Sequence, residues 1–225
     1  MKRLMYLMII ILITACGRST EASAPEPSAT LLVSPEPTLE ATLLPAPTEV
    51  PASTAPPATA VTDDVFSRMG ITLPAPVCTS VTQPQTEGPY YTANTPERTI
   101  LYEEGMEGTK LILVGYVLDQ NCTPLSNAWL DFWQADALGE YDNTGYRLRG
   151  HQFTDEQGRY YLETVLPGLY LSRPIEHIHV KVRPEGGEEI TSQLYFPDQP
   201  VEGLTVQLED RGDYMVGYFN FVVQR

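Results

Sequence analysis

From residue 110 onward, the apolar positions fall into short runs with a two-residue rhythm, rich in β-branched and aromatic side chains. "KLILVGYVL" (110–118), "NAWLDFWQA" (127–135), "GRYYLETVL" (158–166), "IEHIHVKV" (175–182), "TSQLYF" (191–196), "LTVQL" (204–208) and "MVGYFNFVV" (215–223) read as seven strands. Turn-forming clusters separate them, among them "DQNCTPLSN", "DEQG", "RPEGG", "FPDQP" and "DRGD". The RGD triplet at 211–213 is read as part of such a turn, not as an adhesion signal. No long stretch keeps a 3.6-residue period. The pattern predicts an all-β sandwich over about residues 75–225. "DDVFSRMG" (63–70) ahead of it predicts two helical turns, with Thr62 as N-cap and Gly70 just past the end.

The first 62 residues read differently. Lys2 and Arg3 precede an apolar run from Leu4 to Ile13 that is too short to span a bilayer as a mature helix, the order of a signal peptide over 1–15. The run ends in "ITAC", which resembles the lipobox of bacterial lipoproteins and makes Cys16 the expected lipidation site. Two or more acyl chains would hold such a protein at a membrane. Between Gly17 and Thr62 there are nine prolines, one arginine and no aromatic residue. Such a segment cannot bury enough apolar surface to fold, so 16–62 reads as a disordered tether. It would reach ~140 Å fully extended and average ~40 Å as a coil. The folded unit is then 63–225, exported and anchored at a cell surface or in a periplasm.

Composition narrows the function. A net charge of −15 would be repelled by nucleic acid, so no nucleic-acid partner is expected. With Cys16 lipidated, Cys78 and Cys122 remain, in an oxidising compartment where two cysteines suffice for one disulfide. Closing that 44-residue separation would stabilise the fold by ~4 kcal/mol at most.

Chemistry concentrates in "RPIEHIHVKV" (173–182), which holds two of the chain's three histidines. On a strand, His177, His179 and Lys181 share one face, and Ile178, Val180 and Val182 the other. Two imidazoles ~7 Å apart can converge on one ion if further ligands close the shell. By itself the HxH pair also fits a pH-sensitive patch or a plain strand. Tyr141 and Tyr170 stand in turn contexts, "GEYD" and "PGLY", where packing is not the obvious reason for a tyrosine.

Taken in order, "TEGPYY" (86–91), "LVGYVLDQNCTPLSNAWLDFWQADALGEYD" (113–142), "RGHQFTDEQGRYYLETVLPGLY" (149–170) and "RPIEHIHVKV" resemble the intradiol ring-cleavage dioxygenases. The resemblance covers about 75–225 and looks most like an exported branch of that family. It implies a Greek-key β-sandwich and a non-haem Fe(III) held by Tyr141, Tyr170, His177 and His179. It also implies a catechol-type substrate, cleaved between its two hydroxyls with O2 to a muconate-type diacid. Tyr170 would leave the metal as the catechol arrives and take a substrate proton. Arg173 would stabilise negative charge on the substrate, Gln193 would lie near it, and Tyr91 would line the pocket mouth. The ligand set is physically coherent: Fe(III) favours anionic oxygen, and two phenolates with one hydroxide neutralise it.

His151 matches no ligand position. A carboxylated ring would want a cation, for which Arg147 or Arg149 could serve. A homo-oligomer is compatible with the pattern, since sandwich sheets pair readily. Two other readings stay open from the sequence. One is a non-catalytic transthyretin-like binding module, which does not predict the four ligands together. The other is an Fe(II) site using Glu176, which alternates off the histidine face.

Overall fold

The computed structural model describes residues 64–78, 80–170 and 173–225. The expected signal peptide, Cys16, the tether and Thr62 lie outside the described residues. A short helix, α1 (Val65–Met69), is capped at its start by Asp64, whose Oδ1 accepts from the Ser67 N–H at 2.8 Å. Asp64 therefore takes the capping role expected of Thr62, because its side chain sits three residues before that amide. Gly70 ends the helix in the left-handed region, φ 60°, where it meets no Cβ penalty.

The strands form two sheets. One contains β1 (Lys110–Leu118), β4 (Arg159–Val165), β7 (Gln207–Asp210), β8 (Met215–Tyr218) and β9 (Phe221–Val222), in the order β4-β1-β8-β7 with β9 also beside β1. The other contains β2 (Trp129–Trp133), β3 (Arg149–Phe153), β5 (His177–Arg183) and β6 (Ile190–Tyr195), in the order β3-β2-β5-β6. Leu111, Leu113 and Leu162 from the first sheet meet Leu130, Phe132, Ile178 and Val180 from the second in one buried core. Burying each such side chain contributes roughly 1.5–3 kcal/mol.

The unbroken apolar run of β1 has a simple cause: both of its faces are covered. Leu111 and Leu113 enter the main core, while Ile112 and Val114 pack under Phe66 and Ile71 at the helix.

Three expectations change. "RGHQF" (149–153) is a strand that its pattern does not announce, because it buries a charged Arg149 and a Gly150 pressed against Leu101 and Arg98. The strand expected over 204–208 runs instead over 207–210, since Val206 N–H and the Leu204 carbonyl bond the backbone of Tyr195 in the other sheet. The strand expected over 215–223 breaks at Phe219–Asn220. There the Phe219 carbonyl crowds Gly115, where any Cβ would come within 1.7 Å of its oxygen. The same carbonyl accepts from Tyr160 OH at 2.9 Å, and Asn220 Oδ1 replaces a backbone partner for the Tyr116 N–H. The 211–214 segment carrying RGD is the turn between β7 and β8. A disulfide joins Cys78 and Cys122, with Cα atoms 5.4 Å apart, as expected.

Candidate active site

Alternation on β5 separates core from chemistry. Ile178, Val180 and Val182 are fully buried in the sandwich, which turns His177 and His179 onto the opposite face. Register then builds a transverse row across all four strands: Arg149 on β3 pairs with Trp133, Trp133 with His179, and His179 with Gln193 on β6. The neighbouring pair is His177 with Tyr195. Solvent does not reach this face freely. Residues 86–95 lie across it, with Gln193 Nε2 donating to the Thr86 carbonyl at 2.6 Å and Thr95 Oγ1 to Asp131 Oδ1 at 2.7 Å.

The two imidazoles face one another, Nε2 to Nε2, at 3.0 Å. His177 Nδ1 lies 2.7 Å from the Ile175 carbonyl, an arrangement that places its proton on Nδ1 and leaves the Nε2 lone pair aimed at His179. Tyr141 OH is 3.5 Å from the same Nε2. The Tyr141 and Tyr170 rings meet edge to face at 5.6 Å, and Tyr170 lies 6.0 Å from the His177 ring. All four expected ligands thus gather at one end of the β3-β2-β5-β6 sheet.

Electrostatics suit neutral nitrogen and potential phenolate donors. Burial, opposed by the Ile175 hydrogen bond, lowers the His177 pKa to about 4. Burial, then His177 and the Arg173 and Arg149 charges, lowers that of His179 further still. The Thr86 backbone works the other way, yet His179 Nδ1 makes no hydrogen bond of good geometry. Burial and the Tyr170 phenol raise the Tyr141 pKa, while Arg149 and Arg173 oppose that rise. A strong Lewis acid is what would make this tyrosine a phenolate. The donor set therefore fits a hard trivalent ion: two neutral imidazole Nε2 atoms and two phenols. Among the described residues no three His, Cys, Asp or Glu side chains cluster, so Glu176 does not complete a carboxylate-based site.

Arg173 does not pair with Glu176. Its Nη2 donates to Tyr195 OH at 3.0 Å, and Tyr195 OH donates to Gln193 Oε1 at 2.9 Å. Arg173, Tyr195, Gln193 and Thr86 form one hydrogen-bonded chain beside the histidines. The pocket expectation for Tyr91 needs correcting. Its neighbour Tyr90 lines the cleft, stacked on Tyr141 at 4.4 Å, whereas Tyr91 turns away so that its hydroxyl reaches the buried Asp131 at 3.0 Å. His151 also lies off the site, its Nδ1 2.8 Å from the Thr95 carbonyl. Arg147 is paired with Asp136 at 3.0 Å, and the buried Arg149 guanidinium donates to the Tyr90 and Asp142 carbonyls.

Sequence reasoning missed three residues. Trp133 stacks on His179 within 8° of parallel at 4.8 Å, Tyr195 sits beside His177 at 6.2 Å, and Tyr90 covers Tyr141. The period of two on β6, which puts Gln193 and Tyr195 on one face, could have found Tyr195. Nothing local marks the other two. A cleft of about 410 Å³ opens over Tyr141 and Tyr170, bounded by Tyr90, Leu138, Glu140 and Leu169.

Known proteins resemble this chain in sequence and fold. Residues 86–206 match the sequence model of a family described as dioxygenase. Catechol 1,2-dioxygenase of Acinetobacter baylyi is 32% identical over 166 residues, covering 56% of this chain and 53% of that protein. The β chain of protocatechuate 3,4-dioxygenase from Burkholderia cepacia is 30% identical over 112 residues, covering 42% of this chain and 47% of its own length. The chain thus spans about half the length of the curated relatives it matches. Among solved structures is the dioxygenase domain of a dioxygenase–carbohydrate-binding fusion from Streptomyces sp. SirexAA-E. It is 41% identical with a TM-score of 0.62, over 64% of this chain and 99% of that domain.

Proposed function

Because this chain belongs to the intradiol ring-cleavage dioxygenase family, we propose that it opens the ring of a catechol-type substrate between the two hydroxyls. Its co-substrate would be O2 and its product a muconate-type diacid. One observation carries the reading: Tyr141, Tyr170, His177 and His179 converge beneath an open cleft, with neutral imidazoles and no carboxylate among them. A ferric ion held by these four side chains would supply Lewis acidity and a template for both catechol oxygens.

The chain's own residues supply the rest. Trp133 and the Ile175 carbonyl fix the two imidazole planes, so the donor nitrogens need no reorientation. Arg149 and Arg173 favour the anionic form of Tyr141. Tyr170, half-buried at the cleft floor, is placed to accept a proton from a substrate hydroxyl. Arg173, oriented by Tyr195, would steady negative charge on the bound catechol, and Gln193 holds Tyr195 in turn.

Oxygen uptake against a panel of catechols tests the proposal, with iron content measured on the same samples. Wild type should consume O2 and carry a red-brown tyrosinate-to-iron absorption band. His179→Ala should lose iron, and Tyr170→Phe should keep iron yet turn over at least tenfold more slowly. A colourless, iron-free wild-type protein that cleaves no catechol would sink the reading in favour of a non-catalytic module. The order of basic residues, apolar run and "ITAC" supports export and lipid anchoring through Cys16. Loss of lipid labelling in Cys16→Ser tests that part.

A further inference from the structure

Resting on the catechol reading, we infer that the open side of the cleft selects uncharged catechols bearing an apolar substituent and excludes those with a carboxylate on the ring. The first observation is a pair of leucines. Leu138 is 66% exposed and Leu169 51%, and both border the same cleft, where together they form an apolar rim. They sit on separate loops that touch backbone to backbone. Gly168 N–H donates to the Asp136 carbonyl at 2.8 Å, and a Cβ on Gly139 would come within 2.1 Å of the Leu169 carbonyl oxygen. Asp136 Oδ1 also accepts from the Leu138 and Glu140 amides. The leucines are therefore held at the rim by their own main chains, ready to cover a substituent that projects from the ring.

The second observation is charge. Glu140 is the one charged side chain lining the cleft, and its carboxylate enters no ion pair among the described residues. The cations that could have received an anionic substituent are committed elsewhere. Arg147 is bound to Asp136, Arg149 is buried with its donors on two main-chain carbonyls, and Arg173, beside Tyr195 on the histidine side, is assigned to the catechol oxygens and not to a ring substituent. A carboxylate entering this cleft would lose water, meet Glu140 and find no cation on the lining, where Asn143 offers only a neutral amide. An ethyl group would lose water and gain Leu138 and Leu169. The hydrophobic gain corresponds to about fourfold in affinity for each methylene fully covered, and the anion is expected to lose at least about tenfold.

The decisive comparison uses 3,4-dihydroxybenzoate beside its methyl ester, which removes the charge while keeping an electron-withdrawing carbonyl on the ring. Catechol and 4-ethylcatechol complete the set. For the iron-loaded protein, kcat/KM is measured in air, and binding is measured by equilibrium dialysis without oxygen, where turnover cannot occur. The expected results are an ester preferred over the acid by tenfold or more and 4-ethylcatechol preferred over catechol by threefold or more. Glu140→Gln should narrow the ester-to-acid ratio severalfold, and Leu138→Ser or Leu169→Ser should erase the ethyl preference. Equal use of acid and ester, or ratios that these variants leave unmoved, would overturn the inference while leaving catechol cleavage intact. If no catechol is cleaved at all, the function falls instead, and the dialysis ratios still decide the selectivity.

Discussion

At the scale of single residues, the site depends on side chains whose partners leave them one orientation. Trp133 is fully buried and stacked on His179, with its indole Nε1 unpaired. Trp133→Leu should weaken iron retention by about tenfold, whereas Trp133→Phe should largely restore it. The tyrosinate-to-iron band, recorded during chelator challenge, reads the difference. Asp142 acts one step further out. Hydrogen bonds from the Thr144, Arg147 and Gly145 amides hold its carboxylate well below the usual range. A depressed folded pKa means that the native state binds fewer protons than the unfolded chain. The stabilisation is thus present above pH ~3.8 and lost as pH falls through the lower folded value. Asp142→Asn should lower the melting temperature at pH 7 yet flatten its decline below pH 4, as thermal melts at several pH values would show. His177 and His179 were legible from alternation alone, because a strand announces its faces. Tyr90 and Trp133 were not, since nothing local tells which of two adjacent tyrosines turns toward a residue about 50 positions away.

Elements show where pattern reading succeeds and where packing overrides it. Five of the expected strands appear within two residues of their expected ends, all with apolar faces entering the shared core. β3 escaped because the charged Arg149 is buried for its hydrogen bonds, a tertiary role that hydropathy reads as surface. The split between β8 and β9 escaped because its cause lies on a different strand, at Gly115. Gly115→Ala should therefore destabilise the domain by about 1–3 kcal/mol or more, a large effect for one methyl group, seen as a lower urea midpoint with the slope unchanged. The mutation should also loosen the Tyr160 hydroxyl from the Phe219 carbonyl, since that carbonyl must move to admit the Cβ.

For the whole molecule, the disulfide and the sandwich answer different demands. The two-sheet core is the main source of stability, and the Cys78–Cys122 bond ties the segment leading into the domain to the turn after β1. Replacing both cysteines by serine should cost about 2–4 kcal/mol, measured by denaturant unfolding, and should leave iron content at full stoichiometry. The sandwich was legible from strand spacing and turn residues. The covering of its outer face by residues 86–95 was not, because that stretch has no hydrophobic period and is placed by hydrogen bonds to Gln193 of β6 and to Asp131.

The row of Arg149, Trp133, His179 and Gln193 takes one residue from each strand of its sheet, and β6 is the last of those strands in the chain. A slip of β5 by a single position would point the imidazoles inward, and a slip of any of the four strands would scatter the row. If the proposed ferric site is right, iron capture would consequently be a late event: a nascent or misaligned chain would offer no home for the ion, and only a finished fold could claim one.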